Sequence, residues 1–229
     1  IGRSGWTAGA LTAQTGLGTL APSCYVSRGA WTQNAAMFSN VPVAQSQQMV
    51  VAIFIGTNDY DVFATGGAGC QTLLYGSPTQ GTPNMVSLYE TVIANIKAAY
   101  PNVNGGYGPY IVMMTPIARR WTGGSLTDPT GPGQFNQAFL DAASYISANM
   151  ATVGVDILLS YHNVPALDPA LFNTAPLVTA VYRDATHPTV WGAETYLWNY
   201  LKIAFDVLQF GKSKVSYPSW FVLSSSVPN

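Results

Sequence analysis

The chain has 229 residues, 48% of them hydrophobic and only 8% charged, with 9 basic and 10 acidic side chains for a formal net charge of −1. That length suits one α/β domain with a large core. A charged fraction far below the roughly 25% of an ordinary soluble domain leaves the surface to Ser, Thr, Asn, Gln, Tyr and Gly, as in secreted, virion and carbohydrate-facing proteins. No basic patch points to nucleic acid, and no apolar run reaches the roughly 20 residues of a membrane-spanning helix.

Residue 1 is Ile and no signal peptide is visible, so the chain reads as a mature product or a piece of something longer. Cys24 and Cys70 are its two cysteines. A disulfide between them, in an oxidising compartment, and two buried thiols are both compatible with the sequence. Their spacing matches no zinc pattern, and with two histidines in the chain no metal site is expected.

The segment Met49 to Ile55 is short, uninterrupted and rich in Val and Ile, the pattern of a buried strand. Residues 59–83, rich in Gly, Thr, Pro and Tyr, read as a long loop: the wall of a pocket or a solvated insertion. Met85, Leu88, Val92, Ile96 and Ala99 recur at helical spacing over 85–99, and Pro101 stops the run. Gly105 to Gly108 is a turn, and Tyr110 to Met114 a second buried strand ended by Thr115-Pro116. After a Gly/Ser/Thr/Pro loop at 122–133, Phe135, Phe139, Ala142, Ile146 and Met150 mark a helix from about 134 to 151. Gly154 precedes a third strand, Val155 to Leu159; 163–183 is loop-like; Trp191 to Gln209 is a final helix with Gly211 as its C-cap. The tail 212–229 holds a short candidate strand, Trp220 to Leu223. Strands alternating with helices predict a mainly parallel sheet in a single domain spanning 1–229, with sites at the C-terminal ends of its strands.

Two motifs carry chemistry. Gly56-Thr57-Asn58-Asp59 follows the first clear strand, where a strand-end Asn can aim its amide at a developing oxyanion. The same Asn could merely form a turn with its own backbone, and Asp59 reads as a supporting acceptor of backbone amides. Asp184-Ala185-Thr186-His187-Pro188 precedes the last helix. Asp and His three apart can bring a carboxylate onto the imidazole and fix its tautomer, as a general base requires; the bland alternative for Asp184 is a capping role. His162, with no carboxylate at matching spacing, reads as a loop residue.

In order and separation these motifs resemble the third and fifth sequence blocks of the SGNH (GDSL-like) hydrolases, which use Ser, Gly, Asn and His in ester hydrolysis. The resemblance runs from about residue 25 to 205. It implies a three-layer α/β/α, flavodoxin-like fold and a serine esterase needing no metal or cofactor. His187 would be the base, Asp184 its orienting carboxylate and Asn58 an oxyanion donor.

The family's first block, Gly-Asp-Ser, has no plain counterpart, and two main readings stand. In one, Gly2-Arg3-Ser4 is that block with Arg for Asp and Ser4 is the nucleophile; residues 9–21 are a helix, Cys24 to Ser27 a strand, and Arg28-Gly29-Ala30-Trp31-Thr32 the second block, with Gly29 donating its amide to the oxyanion. In the other, Gly2 to Thr7 is itself the second block, Gly5 supplies the amide, and the nucleophile lies outside the chain. A minor third reading permutes the fold, with Ser226 after the tail strand as nucleophile.

Low charge together with Trp6, Trp31, Tyr60, Trp121 and Trp191 favours an acetylated carbohydrate as substrate. The expected setting is extracellular or virion-associated, in a larger parent protein or a homo-oligomer, with no nucleic-acid partner. The rival function class is a binding or structural module, such as a virion or fibre domain, that keeps the fold without the nucleophile.

Overall fold

A computed structural model describes residues 49–56, 85–101, 103–117, 132–161, 164, 181–183, 187–211 and 217–227. They form a mixed four-stranded sheet, mostly parallel, with helices: an α/β protein. In chain order the elements are β1 (Val50–Phe54), α1 (Met85–Ala99), a 3-10 turn (Asn104–Gly106), β2 (Tyr110–Met114), α2 (Pro132–Ala148), α3 (Met150–Val153), β3 (Ile157–Leu159), α4 (Val190–Gly192), a π-helical turn (Ala193–Trp198), α5 (Asn199–Phe210) and β4 (Phe221–Leu223). No helix among the described residues is long and apolar enough to cross a membrane.

The sheet order is β1-β2-β3-β4. Val50 pairs with Tyr110 and Val112 with Ile157, both in parallel register. Parallel neighbours need a crossover, which α1 supplies between β1 and β2 and α2 between β2 and β3. β2 is central, and Ile111 to Met114 are all buried, which is why its sequence is continuously apolar rather than alternating. Its side chains divide between two core clusters, as the period of two requires. Ile111 and Met113 pack with Tyr89, Val92, Ile93 and Ile96 of α1 and with Phe139, Ala142 and Ile146 of α2. Val112 and Met114 pack with Ile157, Leu159 and Tyr161, with Ala204, Val207 and Leu208 of α5, and with Trp220 and Phe221.

The predicted stripe of the second helix is buried at Phe139, Ala142, Ile146 and Met150. The helix is nonetheless interrupted at Asn149 and resumes as the single turn of α3, which Gly154 ends in the left-handed conformation at φ 82° by donating its N–H to the Met150 carbonyl. In α1 the buried face runs through Val86, Tyr89, Val92, Ile93 and Ile96. Its aromatic member, Tyr89, was not in the predicted stripe.

The tail strand pairs antiparallel with β3, Leu158 opposite Val222. One carboxylate fixes this arrangement. Asp156, buried just before β3, accepts the Ile111 N–H at 2.8 Å and the Ser226 hydroxyl at 2.8 Å, and its backbone carbonyl accepts the Ser224 N–H at 2.9 Å. The Lys97 ammonium of α1 stands 3.9 Å away. A charge taken out of water persists only with such partners. They also locate Ser226 at the N-terminal end of the parallel strands, across the sheet from Gly56, and in the turn after an antiparallel strand. Both facts overturn the permuted reading that makes Ser226 the nucleophile.

Asp156→Ala would strand the buried Ile111 N–H and leave Lys97 without its nearest described counter-charge. The expected cost is about 2–4 kcal/mol, to be read as a lower urea midpoint at unchanged slope. Ser226→Ala, which removes one hydroxyl partner, should cost about 1 kcal/mol.

Candidate functional site

The C-terminal end of β1 is held by two helices. The Tyr89 hydroxyl of α1 donates to the Ile55 carbonyl at 2.7 Å, and Phe139 of α2 tilts against Tyr89 with ring centroids 6.4 Å apart. Gly56 fits onto this pair at φ 132°, a conformation that L side chains rarely adopt. A Cβ there would stand 2.6 Å from Phe139 Cζ and 2.8 Å from the Tyr89 hydroxyl. Glycine is therefore required twice over, by dihedral and by space, and the chain enters Thr57 and Asn58 from a fixed point.

The same end of the sheet has an apolar floor. Phe54 packs edge-on against Tyr161, with centroids 6.0 Å apart. The Tyr161 hydroxyl donates to the Leu197 carbonyl at 2.9 Å and lies 3.9 Å from Met114 Sδ. Burial pushes the Tyr161 phenol well above its usual range, so it stays a neutral donor. Because Tyr161 lies just past β3, its bond to Leu197 sets the start of the last helical stretch at this end. From there the helix carries Ala204, Val207 and Leu208 back along the sheet into the core with Val112 and Ile157.

His187 sits immediately before that stretch, in a hairpin built by backbone bonds. The Arg183 N–H donates to the His187 carbonyl at 2.9 Å, Tyr182 and Pro188 form an antiparallel bridge, and the Thr189 N–H donates to Val181 at 2.8 Å. The Thr189 hydroxyl then caps α4: it accepts the Gly192 N–H at 3.0 Å and donates to the Val181 carbonyl at 3.3 Å. A Cβ on Gly192 would collide with that carbonyl, so the helix can approach the hairpin this closely only with glycine. Val181 and Tyr182 are buried while His187 is exposed, and burial drives the Tyr182 phenol far above its usual range. The hairpin thus has a buried base and presents the imidazole to solvent. Its sequence signal was the Asp-x-x-His-Pro spacing. The Thr189 cap and the Gly192 contact, two and five residues after His187, were missed, although Thr before an aromatic-rich helical run is an N-cap signal.

Apart from Ser226 of the permuted reading, His187 is the one predicted catalytic residue that falls within the described set. Ser4, Gly5, Gly29, Asn58, Asp59, Asp184 and His162 lie outside it, as do Cys24 and Cys70. Among the described residues no three His, Cys, Asp or Glu side chains stand together as a metal site. The chain matches no protein-family model, and neither the curated proteins nor the solved structures contain a significant match to it.

Gly56→Ala should destabilise by about 2–4 kcal/mol through clash and a forbidden dihedral. Tyr89→Phe, which keeps the ring and deletes only the bond to Ile55, should cost about 1 kcal/mol. Chemical denaturation of both variants measures the difference; equal costs would mean that the space at Gly56 is not limiting.

Proposed function

We propose that this chain is a serine esterase of SGNH type, built on a three-layer α/β/α fold, that removes O-acetyl or similar ester groups from carbohydrate. The observation that supports it best is the His187 hairpin. A histidine is held exposed in a hairpin fixed by backbone bonds, directly ahead of a capped helix and, in sequence, three residues after Asp184.

In this mechanism Ser4 attacks the ester carbonyl while His187 takes its proton, forming a tetrahedral intermediate whose oxyanion is held by the Asn58 amide and a backbone N–H of Gly29 or Gly5. His187 returns the proton to the leaving alcohol, and an acetyl-serine remains. Water, deprotonated by His187, attacks that ester; acetate leaves and the serine is reprotonated. Asp184 orients the imidazole and stabilises its charged form. None of these steps calls on a metal or cofactor. The second reading, a binding or structural module on the same fold, is favoured by one sequence observation: Arg3 stands where the family's first block has Asp.

His187→Ala should lower the turnover of a small acetyl ester by about 10³-fold or more while leaving the circular dichroism spectrum unchanged. Full activity in the folded variant would remove His187 from the chemistry, and no activity in the parent chain would favour the non-catalytic module. Dialysis against a chelator should leave the rate unaltered; loss restored by zinc would mean a different hydrolytic mechanism.

A further inference from the structure

We infer that the Trp191 indole is the platform on which a neutral sugar ring of the substrate stacks; the inference rests on the esterase reading and assigns that site its glycan specificity. Trp191 follows His187 by four residues, so their Cα atoms are at most about 14 Å apart, and the capped turn at Thr189 shortens the path. The indole is 52% exposed, yet it is not loose: Tyr196 meets it edge-on with centroids 5.8 Å apart and planes at 89°. A ring already held in place loses little rotamer freedom when a ligand covers it. A second exposed indole, Trp198, follows seven residues on in the same helical stretch. Between the two indoles in sequence lie Glu194, which is exposed, and the half-buried Thr195, and the exposed Asn199 follows Trp198. Flat aromatic faces alternating with hydrogen-bonding side chains match a pyranose, whose C–H faces stack while its hydroxyls bond at the rim. A lipid would leave those polar groups unpaired. Glu194 beside the platform also disfavours an anionic glycan.

The full chain, Trp191→Ala and Trp191→Phe are compared on a printed array of neutral, acetylated and anionic glycans, and by the KM for an acetylated xylo-oligosaccharide relative to that for 4-nitrophenyl acetate. Binding to neutral acetylated glycans is expected to weaken about tenfold in Trp191→Ala and to be largely kept in Trp191→Phe. The ratio of the two KM values should rise by a similar factor. If neither ester is hydrolysed but array binding still depends on Trp191, the esterase reading fails while the platform stands. Equal array binding by Trp191→Ala and the parent, no binding to any glycan, a preference for anionic glycans, or an unchanged KM ratio overturns it.

Discussion

The hydrogen bond from the Tyr89 hydroxyl to the Ile55 carbonyl, with Phe139 packed where a Cβ on Gly56 would be, ties the last residues of β1 to α1 and α2 at once. The two helices are themselves crossovers of the parallel sheet, so the point at which the chain leaves β1 is set by the same packing that sets the sheet. Parallel strands bring their C-terminal ends to one edge. Phe54, Met114 and Tyr161 line that edge, and the Tyr161 bond to Leu197 brings the last helical stretch to it. Gly56 and His187 themselves therefore sit on backbone anchored by packing and hydrogen bonds.

The opposite edge is fastened differently. Lys97, Asp156, Ser224 and Ser226 make the only buried charge-centred network among the described residues, and it joins α1, β2, β3 and the tail. In a chain with so few charges, one carboxylate placed at the start of a strand does what many surface ion pairs cannot, since exposed pairs such as Lys202–Asp206 contribute little. It also sets the antiparallel direction of β4. The division leaves the C-terminal edge free of structural carboxylates among the described residues.

Much of this was legible from residue types. The unbroken run Tyr110 to Met114 could be little else than a central strand, and the period of Phe139, Ala142, Ile146 and Met150 named the buried face of α2 because an amphipathic helix must turn one stripe inward. Other features were hidden because they depend on contacts distant in sequence. The Asn149 break depends on how α3 packs, and the partner and direction of β4 depend on Asp156, 70 residues from Ser226. A lone Asp at the head of an apolar strand was the available signal for that network. The π-helical turn at Ala193–Trp198 has no sequence mark, since its residues are ordinary helix formers and aromatics. At the candidate site, the Asp-x-x-His-Pro spacing was the sequence signal for His187, and its Asp184 member lies outside the described residues. The nucleophile had no comparable signal, because Gly2 to Thr7 can be aligned with either of two blocks of the resemblance.

The nucleophile is where the esterase account is most exposed. The most direct measurement is to treat the full chain with a serine-directed organophosphonate and map the adduct by peptide mass spectrometry, with His187→Ala in parallel. The expected result is a single adduct on Ser4 that fails to form in the variant, because the hydroxyl is nucleophilic only with its base in place. No adduct, or one that forms on a serine regardless of His187, would contradict the account.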